Sequence, residues 1–365
     1  MARSKETKLT EQIEKRAERP KQAEPVSHFN PSNFVSSGST LLNLALTDNP
    51  FCGWQKGKMA NIIGDSGAGK TLLTLTALAE TAHDPKEDAT LLFLDDAENA
   101  LEFDLSKVFG RKTEDRVELI DPPSNTIEHF SDNLSVAMKK GKPFIYILDS
   151  FDAIGSEADT DHIEQERKIR MGESKKESKG SYGMAKPKIA SQMLREDCGT
   201  LKRSQGCLLI ISQTRDNLVV GSFEKKTRSG GKALKFYATH EVWVILTKQL
   251  KSKDRRIGAC CDVKVTKNKI TGKRRTVSFN IFDGYGIDDV GSMIDFLLDE
   301  GEWSGGGAKN IDTGDTLGLT GPLSRAKLIA ALDDDDLLMK LKLLTSDVWH
   351  SIEESLKQDR KPRYA

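Results

Sequence analysis

The segment from residue 64 to residue 71 restricts the fold of this chain more than any other. It reads Gly-Asp-Ser-Gly-Ala-Gly-Lys-Thr and matches the pattern GxxxxGK followed by Ser or Thr at every defined position. A strand pattern over residues 58–63 precedes it, and a helical pattern over residues 71–75 follows it. Strand, glycine-rich turn and helix in this order predict a loop whose backbone N–H groups bind a polyphosphate at a helix N-terminus.

The residue types of this loop predict two cofactors, ATP and Mg²⁺. The ammonium group of Lys70 would reach the β- and γ-phosphates, and the hydroxyl of Thr71 would bind the metal ion. The alternative, a chance glycine-rich turn, is disfavoured because strand, loop and helix are in register. We assign the whole loop to the nucleotide site: Gly64, Asp65, Ser66, Gly67, Ala68, Gly69, Lys70 and Thr71.

Apolar runs elsewhere predict the fold class. Three short runs are typical of strands that are covered on both faces of a parallel sheet: residues 91–96, 144–150 and 207–213. Helical stretches between them indicate an α/β protein. Closely spaced strand patterns follow: residues 240–248, 262–268 and 275–282. These later patterns predict an antiparallel extension at one edge of the sheet.

Acidic side chains end two of the apolar runs. Asp149 closes the second run, at the position where P-loop ATPases hold the metal ion. Asp95 and Asp96 end the first run, and Glu98 follows it. Because ligands of open α/β sheets bind at the carboxyl ends of the strands, we expect both groups to face the nucleotide. Thr71 and Asp149 form the predicted metal site.

Two polar side chains are candidates for a role in hydrolysis. Glu98 would orient the attacking water, or it is an ordinary acid at a helix N-terminus. Gln213, which ends the third apolar run, would sense the γ-phosphate, or it is only a turn residue. The local sequence leaves both alternatives open.

The composition excludes some classes of protein. The 365-residue chain has 55 Lys and Arg against 55 Asp and Glu, so a globally basic coat protein is excluded, although local basic segments still permit DNA binding. No apolar run approaches the roughly 18 residues of a membrane span. The N-terminus has no signal-peptide core, and the five cysteines lack metal-binding spacing. We expect a cytoplasmic protein with reduced thiols and no membrane partner.

Shifts in composition divide the chain into four predicted parts. Residues 1–35 form a polar arm with one short helix, and residues 36–300 form the main domain. Residues 301–321 are Gly-rich and indicate a linker. Residues 322–365 form a helical module whose Leu, Ile and Trp stripe is either a small core or a partner site. Within the main domain, residues 162–188 carry eight basic and four acidic side chains and predict a mobile loop.

Six separated segments resemble the bacterial RecA recombinases and their phage-encoded relatives, in the same order and at similar spacing. The resemblance runs roughly from Ser36 to Glu300. Many ATPases share the first segment, whereas the last two are specific to this family. The segments are residues 64–71, Asp96-Ala97-Glu98-Asn99-Ala100-Leu101, Ile147-Leu148-Asp149-Ser150, Gln213-Thr214-Arg215, Gly230-Gly231-Lys232-Ala233-Leu234-Lys235-Phe236-Tyr237-Ala238 and Val263-Lys264-Val265-Thr266-Lys267-Asn268-Lys269-Ile270.

The resemblance implies a RecA-like P-loop NTPase core with a mostly parallel central sheet, an antiparallel edge extension and a small helical C-terminal module. A phage-encoded member would be a DNA-dependent ATPase that forms helical filaments on single-stranded DNA. It would promote homologous pairing and strand exchange with double-stranded DNA in recombination and repair. A single-strand-binding protein or a loader would be a further partner, and the location would be the cytoplasm of a bacterial host.

The resemblance also implies catalytic roles for particular residues. Glu98 is similar to the family's catalytic glutamate, and Gln213 to the residue that couples the γ-phosphate to the second DNA-binding loop. Lys267 and Lys269 resemble the lysines that reach across a filament interface to the ATP of the neighbouring subunit. Lys70 completes this predicted catalytic set.

The two DNA-binding loops would lie at roughly residues 156–187 and 214–231. Basic residues of the first loop either bind phosphates or belong to a solvated insertion, and an aromatic residue of the second either wedges between bases or packs locally. In the nucleotide site, Glu102 and Phe103 are assigned to cofactor binding, and Leu105 replaces the family's stacking Tyr. The predicted DNA-binding set is Arg167, Lys168, Arg170, Lys175, Lys176, Lys179, Met184, Arg215, Leu218, Phe223, Lys225, Lys226 and Arg228.

Three other functions share part of this pattern. A hexameric replicative helicase has the same core, but it normally uses an arginine finger in place of Lys267 and Lys269. A mediator that forms no filament would be expected to lack Glu98 or Lys70, and both are present. A nucleotide kinase would need an acceptor pocket and lid arginines, for which we see no pattern. The recombinase is therefore the favoured interpretation.

Overall fold

The structure is a computed structural model that describes residues 29–101, 104–173, 185–216, 226–228, 231–307 and 309–357. The chain divides into two units, residues 1–32 and residues 33–365. In the described part of the first unit, the side chain of Asn30 accepts hydrogen bonds from the N–H and the hydroxyl of Ser32. The short helix predicted near the N-terminus lies outside the described residues.

Helices and strands alternate along the second unit. In the described residues the helices are α1 (Thr40–Thr47), α2 (Lys70–His83), α3 (Leu105–Phe109), α4 (Arg111–Arg116), α5 (Ile127–Lys139), α6 (Glu157–Arg170), α7 (Ala185–Arg203), α8 (Gly231–Tyr237), α9 (Asp289–Asp299), α10 (Arg325–Ala331) and α11 (Asp335–Ser355). The strands are β1 (Phe34–Val35), β2 (Trp54–Gln55), β3 (Lys58–Gly64), β4 (Leu91–Asp96), β5 (Val117–Leu119), β6 (Phe144–Asp149), β7 (Gly206–Asp216), β8 (Lys226–Arg228), β9 (His240–Ser252), β10 (Arg255–Asn268), β11 (Thr276–Phe282) and β12 (Gly286–Ile287).

One large sheet organises this unit. Its strands follow the order β12-β11-β10-β9-β3-β7-β6-β4-β5, and β8 pairs with β7. Neighbours from β9 through β5 are parallel, whereas β9, β10, β11 and β12 pair in antiparallel fashion. The apolar runs correspond to β4, β6 and β7, and the later patterns to β9, β10 and β11. The predicted α/β fold with a mostly parallel sheet and an antiparallel edge is confirmed.

Both faces of the central parallel strands are buried, which explains the continuous apolar runs. Every residue of β6 is buried. Ile145 and Ile147 pack in a cluster that includes side chains of α1 and α2, whereas Phe144 and Tyr146 pack in a second cluster with α5 and α7. Successive side chains of a strand point to opposite faces, so a strand that is covered on both faces is apolar at both.

The Gly-rich segment 301–321, predicted as a linker, packs against neighbouring helices. Trp303, Ile311 and Leu317 are buried in a third cluster with Leu297 of α9 and with side chains of α10 and α11. The segment is therefore part of a core and not a free linker. The sequence pattern did not predict this core because the large apolar residues of the segment are widely spaced among glycines.

The apolar stripe of the C-terminal helices also contributes to a core. The ring of Trp349 in α11 lies 6.1 Å from the ring of Phe296 and 5.1 Å from the guanidinium of Arg275. Arg275 donates through Nε to Glu353 at 2.7 Å and through Nη2 to Asp48 at 2.5 Å. These contacts join α11 to the residue before β11 and to the end of α1, and they support the core alternative for the stripe.

Residues 162–188, predicted as a mobile loop, include most of α6 and the start of α7. The prediction was wrong for these parts because α6 has no buried residue and hence no apolar periodicity. The side chain of Ser156 accepts a hydrogen bond from the N–H of Asp159 at 3.2 Å, and Glu164 pairs with Lys168 at 2.7 Å. Such capping, with acids in the first turn and bases in the last, stabilises an exposed helix.

The described residues contain no helix with the length and apolar character that a membrane span needs. The five cysteines are free thiols. Burial raises the pKa of Cys207 to about 12, so this thiol stays protonated at neutral pH.

Candidate nucleotide-hydrolysis site

The glycine-rich loop joins the end of β3 to the start of α2. Gly67 and Gly69 have φ of +72° and +91°, a region that favours glycine. A Cβ on Gly69 would lie 2.5 Å from a side chain of β11, whereas Gly67 faces open space. Lys70 Nζ donates to the backbone carbonyl of Asp65 at 2.8 Å, so the ammonium lies inside the loop. The loop therefore presents the geometry of a phosphate cradle with its cation in place.

Lys70 and Asp149 are buried charges at this loop. Burial lowers the pKa of Lys70 below its ordinary value of 10.5, against the opposing effects of Asp149 and Glu98. Burial raises the pKa of Asp149 from 3.8 to about 6, while the hydrogen bond from Thr71 lowers it. Each group would therefore be stabilised by a ligand of opposite charge, an anion at Lys70 and a cation at Asp149.

Thr71 and Asp149 have the chemistry of a partial magnesium site. Thr71 Oγ1 donates to Asp149 Oδ2 at 2.6 Å, so a hydroxyl and a carboxylate oxygen lie side by side. Mg²⁺ at nucleotide sites is held by one or two protein oxygens together with waters and phosphate oxygens. In the ranges that the structure describes, no group of three or more His, Cys, Asp or Glu would hold a metal ion by itself. The residues present fit Mg²⁺ that is bound together with a triphosphate.

Glu98 and Gln213 meet at the carboxyl ends of three neighbouring strands. Gln213 Nε2 donates to Glu98 Oε1 at 2.9 Å, and the hydroxyl of Ser150 donates to the same oxygen. The N–H of Glu98 donates to the carbonyl of Asp149 at 3.1 Å. The exposed Glu98 carboxylate thus lies beside the buried Asp149, as the positions of these residues at strand ends predicted.

Asp95 does not face the nucleotide, and that prediction was wrong. Its carboxylate is fully buried and accepts hydrogen bonds from Ser124 N–H at 2.8 Å, from Ser124 Oγ at 2.6 Å and from the Tyr146 hydroxyl at 2.7 Å. Consecutive side chains of β4 alternate between faces, so Asp95 and Asp96 point apart. Asp96 accepts the N–H of Leu101 at 2.9 Å and thereby shapes the turn that carries Glu98.

Lys267 and Lys269 both reach the C-terminal end of α8. Lys267 Nζ donates to the carbonyl of Lys235 and, at 3.0 Å, to that of Phe236. Lys269 Nζ donates to the Phe236 carbonyl at 3.2 Å. These acceptors are among the last carbonyls of α8, which lack helical partners. The role of the two lysines at the ATP of a neighbouring subunit stays a prediction. Phe236 itself is 70% exposed.

The described members of the first predicted DNA-binding loop lie in the last turn of α6. Arg167, Lys168 and Arg170 are exposed, and Lys168 is paired with Glu164. The other predicted members lie outside the described residues: Lys175, Lys176, Lys179 and Met184. DNA binding by this loop stays a prediction.

The second predicted loop is partly strand. β7 continues to Asp216, and the backbone of β8 pairs with it, so Lys226 and Arg228 lie in a strand and not in a loop. The Arg215 side chain is 70% exposed and lies 3.6 Å from Asp152. Three predicted members lie outside the described residues: Leu218, Phe223 and Lys225.

The residues predicted to bind the cofactor beyond the glycine-rich loop are not described by this structure. Glu102 and Phe103 lie outside the described residues. Leu105 begins α3, is 9% exposed and packs in the first core cluster, so its side chain is not available for stacking.

No local pattern predicted a role for Ser150 or Asp152, or the contact between Thr214 and Asp65. Asp152 Oδ2 accepts the N–H of Gln213 at 2.7 Å, and the hydroxyl of Thr214 donates to the Asp65 carboxylate. These two contacts join residues that are 61 and 149 positions apart. They depend on the strand order of the folded sheet, and no local pattern signals them.

A family model of the RecA N-terminal domain matches residues 20–288 of this chain. The chain belongs to the RecA family. It is 32% identical to Protein RecA of Zymomonas mobilis over an alignment of 267 residues. That alignment covers 73% of this chain and 69% of that protein. It is 34% identical over 267 residues to Protein RecA of Allochromatium vinosum (73% and 70%), and 31% identical over 288 residues to that of Corynebacterium efficiens (79% and 68%).

The predicted family and function are confirmed. The chain is a RecA-type recombinase and a nucleotide-binding, DNA-dependent ATPase. The phage-encoded type stays a prediction.

Proposed function

We propose that this RecA-type recombinase binds ATP with Mg²⁺, assembles into a helical filament on single-stranded DNA and pairs that strand with homologous double-stranded DNA. One observation carries the proposal. The phosphate-binding Lys70, the metal-binding pair of Thr71 and Asp149, and Glu98 with Gln213 converge at one edge of the sheet. This set contains the parts that P-loop hydrolysis needs: a cation, a metal site and a carboxylate that orients water.

Within the site, each residue would have a separate task. Lys70 holds the β- and γ-phosphates, and Thr71 and Asp149 hold Mg²⁺, which neutralises charge on the phosphates when it is bound. Glu98 orients water through its carboxylate and accepts the proton that the water loses. Gln213 donates to that carboxylate, so its position affects how Glu98 is aimed.

The register of the sheet supports action of Lys267 and Lys269 at a neighbouring subunit. Lys267 lies opposite Glu241 of β9, which lies opposite Asn61 of β3. The P-loop begins at Gly64, three residues beyond Asn61 at the carboxyl end of β3. It therefore lies about 10 Å further along the sheet than Lys267 and two strands, again about 10 Å, to the side. This separation argues against action of the pair at the P-loop of its own subunit, and in that way it supports the proposal.

Cations that reach a triphosphate across an interface stabilise that interface while the triphosphate is intact. A head-to-tail interface of this kind does not close on itself and therefore builds filaments. In the filament, basic residues would bind the phosphates of DNA, and base pairing would read homology. A single-strand-binding protein or a loader is a further proposed partner, and the bacterial cytoplasm is the proposed location.

Electron microscopy in negative stain tests the assembly. The chain is incubated with single-stranded DNA and a slowly hydrolysed ATP analogue, and Lys70→Ala protein is the control. Helical filaments that require both the nucleotide and Lys70 are the expected result. Closed rings would contradict the proposal in favour of a helicase, and particles without order would favour a mediator.

A further inference from the structure

The segment that follows β6 connects the hydrolytic site to the second predicted DNA-binding region. Phe151 N–H donates to the carbonyl of Ile211 in β7 at 2.8 Å. Asp152 Oδ2 accepts the N–H of Gln213 at 2.7 Å, and its side chain is only 10% exposed. The carboxylate of Asp152 is thus held against the residue that contacts Glu98.

The same carboxylate faces a cation of the second predicted DNA-binding region. Asp152 Oδ1 lies 3.6 Å from Nη2 of Arg215, whose side chain is 70% exposed. Ion pairs with an exposed partner are weak, so a phosphate that approaches from solvent can compete for this guanidinium. Arginine binds phosphate through parallel hydrogen bonds, which favours the exchange.

A lysine from the first predicted DNA-binding region anchors the segment from the other side. Lys186, in the first turn of α7, donates to the carbonyls of Phe151 at 2.5 Å and Ile154 at 2.6 Å. Its ammonium also lies 4.2 Å from the centroid of the Phe151 ring. The backbone around Asp152 is therefore fixed. The Asp152 carboxylate can lose its ion pair with Arg215 while the backbone that carries it stays in place.

We propose that Asp152 is a positioning residue that couples DNA binding to ATP hydrolysis; this rests on the proposed function. The element with two states is Arg215, which pairs either with Asp152 or with a phosphate of DNA. When phosphate takes the guanidinium, Asp152 keeps its bond to the N–H of Gln213 and loses its ion pair with Arg215. The altered charge and geometry at Gln213 are passed to Glu98 through the hydrogen bond of the Gln213 amide.

Asp152→Asn tests this coupling. The Asn side chain still accepts the N–H of Gln213 through its carbonyl oxygen, but it no longer pairs with Arg215. The measured quantity is the ratio of ATP turnover with saturating single-stranded DNA to turnover without DNA, at one fixed salt concentration. Mutations along such a connection typically change coupling by about 2- to 30-fold. We expect Asp152→Asn to lower the ratio by a factor in that range. The DNA concentration for half-saturation should stay the same or decrease by up to about fivefold, because Arg215 is released.

Three further variants make the result decisive. Asp115→Asn removes the same charge from an exposed position of α4 and should leave the ratio unchanged. Asp152→Glu keeps the carboxylate and should restore part of the ratio. Combined with Arg215→Gln, Asp152→Asn should cause no additional loss, because both changes break the same pair.

An unchanged ratio in folded Asp152→Asn protein would overturn the inference. Parallel loss of the ratio and of DNA affinity would also overturn it, since that pattern indicates a merely structural role. Additive losses in the double variant would have the same consequence. If the wild-type protein itself showed no stimulation by DNA, the proposed function would fail, and the inference would fail with it.

Discussion

Replacement of Glu98 by Gln perturbs the hydrolytic site with little change in structure. Oε1 of Glu98 accepts hydrogen bonds from Gln213 Nε2 at 2.9 Å and from the Ser150 hydroxyl. The oxygen of a Gln amide can accept both bonds. The change therefore preserves these contacts and replaces the second carboxylate oxygen by an NH₂ group, which cannot accept a proton from water.

The expected loss follows from that single change. Removal of a positioned general base lowers the rate by about 10²- to 10⁴-fold, which corresponds to about 3 to 5 kcal/mol of activation free energy. Lys70, Thr71 and Asp149 keep their contacts, so nucleotide affinity should change little. We expect turnover to fall by at least about 10²-fold, and complexes with DNA in the presence of ATP should last longer.

The assay is phosphate release at saturating ATP and single-stranded DNA, with nucleotide affinity and DNA dissociation measured on the same preparation. Asp96→Asn is the matched control, because Asp96 belongs to the same turn and accepts the N–H of Leu101 at 2.9 Å. Its turnover should fall much less than that of Glu98→Gln. Unchanged turnover in Glu98→Gln would refute the catalytic role, and Glu98 would then be only an acid at a turn.

Three other expectations concern single side chains or pairs. Lys70→Ala should abolish ATP hydrolysis without changing the circular dichroism spectrum, because the ammonium acts at the phosphate site; near-normal turnover would contradict the P-loop assignment. Alanine at both Lys267 and Lys269 should leave the monomer folded but sharply reduce DNA-dependent hydrolysis. Mixing this protein with Lys70→Ala protein should restore part of the activity, and no recovery between folded proteins would mean that the lysines act within their own subunit. Hydrogen bonds from Arg275 lower the pKa of Glu353 from 4.5 to about 2, so the stability it contributes is present above pH 4.5 and is lost as the pH falls towards 2. Over that interval the Tm of the wild type should fall more than the Tm of Glu353→Gln, and parallel curves would contradict this contribution.

The local patterns predicted the parts of the site that depend on short stretches of chain. The P-loop needs only a strand, glycines at positions of positive φ and a following helix, and all three are contiguous. Asp149 and Gln213 were found because each ends an apolar run, and the parallel order of β6 and β7 brings those ends together. The helix α6 was missed for the opposite reason, because capping and charge stabilise it without apolar periodicity.

Asp95 shows which information the sequence could not supply. A strand with one exposed face alternates between apolar and polar residues, and that alternation reveals which side chains share a face. β4 is covered on both faces, so the apolar run gives no such signal. The face is set by register: Asp96 lies opposite Asp149, whereas Asp95 shares the side of Phe93 and the cluster with Tyr146. In a sheet that is buried on both sides, a strand end therefore predicts where a site lies along the sheet, and only the pairing of neighbouring strands decides which acid enters it.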